Sequence, residues 1–83
     1  MINPLFRSYK RLAKVYVFKT NIESELDLNI VKSVFNHNPS IIEWSVDMED
    51  IDNVLRVETK KHLSEKDIID EVTSKGFFCE ELE

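Results

Sequence analysis

The side chains that could do chemistry are few and widely spaced. The chain has two histidines, His37 and His62, and a single cysteine, Cys79. The histidines fall in different predicted loops, and neither lies in the His-x-x-x-His or Cys-x-x-Cys spacing of zinc sites. Exposed loop histidines and a small core cysteine are the expected interpretation. No metal is expected, and His37, His62 and Cys79 are the candidate ligands if one binds.

No set of residues predicts catalysis. No Ser/His/Asp or Cys/His motif occurs, and the single glycine, Gly76, excludes a glycine-rich phosphate loop. Four carboxylates, Asp47, Glu49, Asp50 and Asp52, crowd one predicted turn but lack the glycine of a calcium-binding loop. Because 83 residues also leave little core around an active-site cavity, we expect a non-enzymatic protein without a cofactor.

Charge is unevenly spread along the chain. Residues 1–20 carry five bases and no acid, whereas the remainder carries all 16 acids against six bases. An acidic body argues against a nucleic-acid partner, because phosphate binding needs a basic surface. The sequence has no apolar stretch that could span a membrane and no signal-peptide pattern. With a single cysteine, these features predict a cytoplasmic protein without a transmembrane segment.

Two segments are distinguished, a leader at 1–12 and a domain at 13–83. The leader is expected to be a frayed terminus. The alternative is a short amphipathic segment that docks on the domain or on an anionic membrane. Its sequence includes the apolar residues Ile2, Leu5, Phe6, Tyr9 and Leu12.

Hydrophobic periodicity predicts the elements of the domain. Period-two patterns indicate strands at 14–20, 42–48, 54–59 and 77–82, and helical stripes indicate helices at 24–36 and 64–75. The order is therefore β-α-β-β-α-β. It predicts an α+β, ferredoxin-like sandwich with a four-stranded antiparallel sheet and two helices on one face.

This pattern resembles the heavy-metal-associated (HMA) domain of copper chaperones and of metal-pumping ATPases over about residues 14–82. The matching positions lie in the family's first helix, its second strand, its second helix and the Gly-Phe pair that ends the second helix. In this order they are Val31, Val34, Phe35; Ile41, Trp44, Val46; Ile68, Ile69, Val72; Gly76, Phe77. The family's Met-x-Cys-x-x-Cys loop would fall at Ile22, Ser24 and Asp27. Both thiolates are therefore missing, and Cu(I) needs such soft donors.

The residues in this loop have their own structural interpretation. Ser24 is placed as a helix N-cap, and Ser24-x-x-Asp27 approximates a capping box. Glu23, Glu25 and Asp27 suit the positive end of the helix dipole. The resemblance implies that Lys75 lies near this loop, where it would balance these carboxylates.

The first strand leaves apolar residues on the side away from the helices. If Tyr16 and Phe18 face the core, Val15 and Val17 face outward, and Ile41 is expected beside them. Such a patch suggests a partner or the docked leader.

Three functions follow from these observations. The first is an HMA-like domain without metal-binding cysteines that serves as a protein-interaction or accessory module, or that self-associates, through Glu23, Glu25, Val15 or Val17. The alternative is a divergent metal-binding or transport protein with non-cysteine ligands. A third is a ligand-sensing domain, which usually needs glycine-rich turns that this chain lacks.

Overall fold

Six elements follow one another in the order that the periodicity predicts. The computed structural model describes residues 13–82, so the expectations for the leader at 1–12 lie outside the described residues. The elements are β1 (Ala13–Thr20), α1 (Glu25–Phe35), β2 (Ile41–Asp47), β3 (Val54–Lys60), α2 (Glu65–Thr73) and β4 (Cys79–Glu81).

The four strands form one antiparallel sheet with the order β2-β3-β1-β4. The α+β class and the four-stranded antiparallel sheet are therefore confirmed. The strands β1 and β3 lie at the centre, where Tyr16 pairs with Val57 and Phe18 with Leu55. The edge strand β4 has only three residues, and a short edge offers little backbone for pairing with another chain.

The core lies between the central strands and the two helices. Phe18, Leu55 and Val57 are fully buried and face the same side of the sheet. They form one cluster with the predicted stripes of α1 and α2: Val31, Phe35, Ile68 and Val72. Each such side chain contributes about 1.5–3 kcal/mol when it leaves water, so this cluster fixes how the helices sit on the sheet.

A β-bulge in β2 changes which of its residues face the core. Ile41 pairs with Thr59 and Glu43 pairs with Glu58, so the register shifts by one residue between them. The prediction that Ile41 faces outward beside Val15 and Val17 is therefore wrong, because the bulge turns Ile41 toward the core, where it packs. The strand predicted at 42–48 ends one residue earlier, because β2 ends at Asp47 and Met48 is exposed.

Candidate functional site

Three loops meet at one end of the sheet. The backbone N–H of Thr20 donates to the carbonyl of Asp52 at 2.9 Å, and its hydroxyl donates to the carbonyl of Asn53 at 2.6 Å. The N–H of Phe78 donates to the side-chain oxygen of Asn21 at 2.8 Å. These bonds bring together the loops that follow β1, β2 and α2. We call this region the acidic end and define it as residues 21–26, 48–53 and 74–78.

The charge of the acidic end is strongly negative. It contains five carboxylates and one ammonium group, that of Lys75. Most of the carboxylates are exposed, so water screens them and no buried charge has to be neutralised. The five are Glu23, Glu25, Glu49, Asp50 and Asp52.

Apolar side chains are exposed between these charges. In residues 13–82, five large apolar side chains are exposed, and four of them lie at the acidic end. Ile51 is 94% exposed and Leu26 is 69% exposed, with Phe78 and Met48 at 47% and 36%. Scattered exposed apolar residues are ordinary, but a group of them rimmed by charges is typical of an interaction surface. Sequence reasoning missed this group, because its members lie far apart in the chain.

The segment that contains Ile22, Ser24 and Asp27 leads from β1 into α1. Ile22 is fully buried in the core. Ser24 caps the helix as predicted, because its hydroxyl accepts from the N–H of Asp27 at 3.1 Å. The carboxylate of Asp27 accepts from the N–H of Glu23 at 3.1 Å instead of that of Ser24. The second half of the predicted capping box is therefore wrong by one residue, although the polar atoms of this loop still bind its own backbone.

Lys75 is exposed just after α2, one residue before Gly76. Gly76 has a positive φ of 91°, which glycine adopts without strain at a helix exit. Within residues 13–82, no ion pair joins Lys75 to Glu23, Glu25 or Asp27. The predicted balance of charge is therefore not made by a direct ion pair.

The two histidine loops lie together at the other end of the sheet. The ring of His62 hydrogen-bonds the hydroxyl of Ser40 at 2.6 Å, and the N–H of Lys60 donates to the carbonyl of Ser40 at 2.8 Å. His37 bonds instead to the carbonyl of Ser33 in the last turn of α1. Each ring thus has a partner within the fold.

Cys79 is the first residue of β4 and is 8% exposed. Burial, and then the neighbouring Glu65 carboxylate, raise the pKa of its thiol to about 12. A protonated, buried thiol neither binds metals nor reacts readily. The expectation that Cys79 is a small core residue is confirmed.

A cleft of about 400 Å³ lies between the end of α1 and the start of β2. Pro39, Ile42 and Trp44 contribute to its walls, and the Trp44 ring packs edge-on against Phe35 with 5.5 Å between centroids. The sequence by itself indicates only one part of this cleft, the Asn-Pro loop at its rim.

In the part of the chain from 13 to 82, no three His, Cys, Asp or Glu side chains are close enough to hold a metal together.

The outward valines lie where the sequence places them. Val15 is 46% exposed and Val17 is partly buried, both on the face away from the core cluster.

Neither described helix has the length and hydrophobicity needed to cross a membrane. Comparison of the chain with protein-family models and with curated proteins gives no match.

Proposed function

We propose that this chain is a non-enzymatic, HMA-like domain that has lost its metal-binding cysteines and docks a basic partner protein through its acidic end. The observation that carries the proposal is the exposure of Leu26, Met48, Ile51 and Phe78 among five carboxylates. Burial of the apolar groups stabilises the complex, and the surrounding charges select and orient the partner. A cytoplasmic location belongs to the proposal, since a lone buried thiol suits a reducing compartment.

The strand order supports a ferredoxin-like arrangement. Counted from the β4 edge, the sheet runs β4-β1-β3-β2. The strands of the β1-α1-β2 unit therefore lie on either side of β3, and those of β3-α2-β4 on either side of β1. This splitting of both β-α-β units characterises that arrangement. It also brings the loops after β1, β2 and α2 to one end, where the family would hold its metal.

The chemistry of the loop supports interaction rather than metal capture. The hydroxyl of Ser24 and the carboxylate of Asp27 each accept a backbone hydrogen bond. A soft ion would have to displace these bonds and then bind hard oxygen donors, which it prefers least. The side chains of Glu23 and Glu25 are exposed, so a cationic partner can reach them.

Binding of a defined peptide tests the proposal. A helical peptide of Leu and Lys, patterned so that Leu forms one face, is titrated into the labelled protein and followed by amide NMR. We expect saturable shifts within 21–26, 48–53 and 74–78, weakened by salt because screening reduces the attraction. A Leu and Glu peptide of the same pattern should leave these amides unchanged.

A pair of charge reversals locates the interface. Glu25→Lys with Asp50→Lys should weaken binding about tenfold or more, because about 1.4 kcal/mol of lost attraction changes the affinity tenfold. Glu43→Lys with Asp70→Lys makes the same change in net charge at exposed positions outside the acidic end and should leave the affinity close to that of the native chain. An equal loss of affinity in both double variants would mean that only the net charge matters, and it would contradict the proposed interface.

A further inference from the structure

The strand β2 forms one edge of the sheet. Among residues 13–82, β3 pairs with its inner side and no strand pairs with its outer side. After the bulge the pairing with β3 is regular, from Glu43 opposite Glu58 to Asp47 opposite Val54. In a regular edge strand, every second residue directs its N–H and C=O away from the sheet. The segment at 43–47 therefore has the backbone geometry to pair with an added strand.

The cleft between α1 and β2 lies beside the start of this edge. Ile42 and Trp44 of β2 and Pro39 of the preceding loop contribute to its walls. Ile42 is the extra residue of the bulge, since it has no opposite residue on β3. Both Ile42 and Trp44 are half-buried, and the Trp44 ring rests on Phe35. With about 400 Å³, the cleft has room for an apolar side chain of an added strand.

The exposed side chains of β2 carry negative charge. Glu43, Ser45 and Asp47 alternate along the strand and are all exposed, so they share one face. Arg56 of β3 lies opposite Ser45 and supplies one cation against the two carboxylates. Opposite charges across neighbouring strands stabilise a sheet. Charge complementarity therefore favours an added strand with cationic residues opposite Glu43 and Asp47.

A second copy of this chain is a poorer occupant of the edge. If two β2 strands paired antiparallel about Ser45, Glu43 of each copy would lie opposite Asp47 of the other. Like charges directly opposite one another destabilise a sheet. The whole chain also carries a net charge of −5, so two copies repel each other. The occupant that fits is a basic segment of a different protein.

We propose that the edge of β2 binds an extended basic peptide segment as a fifth strand of the four-stranded sheet. Two cationic side chains, four positions apart, lie opposite Glu43 and Asp47, and an apolar side chain next to one of them enters the cleft beside Trp44. Backbone hydrogen bonds supply affinity in such strand addition, and alternate side chains supply specificity. The edge and the cleft share no residue with the acidic end, so this binding goes beyond the proposed function.

A short peptide with this pattern tests the binding to the native chain. The capped peptide Thr-Lys-Ile-Thr-Ile-Lys-Thr has no tryptophan, so the fluorescence of Trp44, the single tryptophan of the protein, reports on the cleft. We expect a saturable change in this fluorescence together with amide shifts at 39–47. The same peptide with Glu in place of Lys should cause neither change. Unchanged Trp44 fluorescence with amide shifts confined to 48–53 would overturn the proposal.

Amide hydrogen exchange shows whether the backbone of β2 pairs with the peptide. In the free protein, N–H groups of β2 that point away from β3 should exchange fast, and saturating peptide should slow their exchange. Two N-methylated peptides are the controls, one methylated at each alternate set of residues. Because the N–H groups along one side of a strand belong to alternate residues, only one of them should lose binding. Equal affinity of both, or outward N–H groups already protected in the free protein, would overturn strand addition.

Removal of charge locates the ionic contacts. Glu43→Gln with Asp47→Asn should lower the affinity for this peptide about fivefold, since two exposed ion pairs are lost and each is weak. The amide at position 47 keeps an oxygen that can accept from the N–H of Glu49, as Asp47 does. The matched control, Glu25→Gln with Asp50→Asn, removes the same charge at the acidic end and should leave this affinity unchanged. Equal losses in both variants would contradict the assigned edge.

The two peptides separate this proposal from the proposed function. The helical Leu and Lys peptide should shift the amides of the acidic end, whereas the extended peptide should shift those at 39–47. Failure of the extended peptide to bind therefore leaves the result of the helical peptide unaffected. A dependence of the β2 amide signals on protein concentration without peptide would show that a second copy occupies the edge, and it would overturn the assigned partner.

Discussion

Ser24 and Asp27 stabilise the loop that precedes α1 by accepting hydrogen bonds from its backbone. Each accepts a backbone hydrogen bond at 3.1 Å at the start of α1. These bonds satisfy N–H groups that no helical carbonyl reaches. The two side chains therefore hold this loop through bonds to its own backbone.

Introducing two thiolates at this loop should create a metal site. The change Ser24→Cys with Asp27→Cys makes a Cys-x-x-Cys spacing at the positive end of α1, which stabilises thiolates. We expect the double variant to bind Cu(I) in competition with a chelator under reducing conditions, with amide shifts confined to residues around 22–27.

The native chain and the single variant Ser24→Cys are the controls for this gain. Neither is expected to bind Cu(I) measurably at the loop, because one thiolate leaves the ion without its second soft ligand. Saturable shifts in the native protein at this loop, or at His37, His62 or Cys79, would favour the alternative of a divergent metal-binding protein.

Cys79 should be unreactive while the protein is folded. Its pKa of about 12, against an ordinary value near 9.0, lowers the thiolate fraction near pH 8 roughly a thousandfold. Reaction with an aromatic disulfide should therefore be far slower in buffer than in denaturant. A native rate equal to the denatured rate would contradict burial of the thiol.

The same pKa predicts a loss of stability in alkali. The folded state holds the thiol proton up to about pH 12, whereas the unfolded state releases it near pH 9. The unfolded state therefore binds fewer protons between these values, and the free energy of unfolding falls as the pH rises through that range. Denaturant titrations should show a steeper fall for the native chain than for Cys79→Ala, in which the thiol is absent.

At the scale of the elements, the two helices begin differently. In α2 the capping box is complete, since Ser64 and Asp67 exchange hydrogen bonds between side chain and backbone at 3.2 and 3.0 Å. In α1 the carboxylate of Asp27 reaches one residue further back, to Glu23. Both helices carry acids in the first turn, which the helix dipole favours.

Removing the cap of α2 should cost measurable stability. Ser64→Ala is expected to lower the free energy of unfolding by about 1 kcal/mol, as for typical N-cap serines. Hydrogen bonds to Ser64 hold the pKa of Asp67 below its ordinary value. The stability that the charged Asp67 carboxylate contributes is therefore present above the ordinary carboxyl pKa. It is lost as the pH falls through the lowered pKa of Asp67. Urea titrations at pH 7 and pH 3 measure both effects.

The control for this prediction is Ser74→Ala at the other end of α2. The hydroxyl of Ser74 donates to the carbonyl of Glu71 at 2.6 Å on the surface, and it is no N-cap. Its loss should cost clearly less than that of Ser64. An equal cost at both positions would mean that helix capping is not the source of the effect.

At the scale of the whole molecule, one cluster joins α1 and α2 to the central strands β1 and β3. A domain of this length has a free energy of unfolding of about 4–12 kcal/mol at 0.05–0.15 kcal/mol per residue. Leu55 is fully buried in the cluster, and Leu→Ala changes in cores cost about 2–5 kcal/mol. Leu55→Ala should therefore remove a large share of the stability, as thermal unfolding followed by circular dichroism would show. A loss below 1 kcal/mol would contradict the central position of Leu55.

The core also contains a polar group that should be dispensable. Thr59 is fully buried, and its hydroxyl has no hydrogen-bond partner among the described residues. Thr59→Val keeps the shape and removes the cost of burying an unsatisfied hydroxyl, so we expect a gain of about 1 kcal/mol. The same thermal measurement tests this change, and a clear loss of stability would show that the hydroxyl is solvated or bonded in solution.

What the sequence determined by itself is the local structure and the class of the fold. The stripes of α1 and α2, the strand patterns, the cap at Ser24 and the exit at Gly76 all depend on residues within a few positions of one another. Such patterns are read from one stretch of chain, because helix and strand periods and capping bonds are local. That the segment at 22–27 contains no cysteine is equally plain from the sequence.

The tertiary structure decided which distant residues meet. The bulge that turns Ile41 inward depends on the pairing of β2 with β3. The acidic end depends on bonds such as that between Asn21 and Phe78, which are 57 positions apart. Glu58 is buried although its cross-strand neighbours Val15 and Glu43 are exposed. None of these features follows from the helix or strand period of a single segment. Strand register and the meeting of distant loops are set by packing of the whole chain against itself.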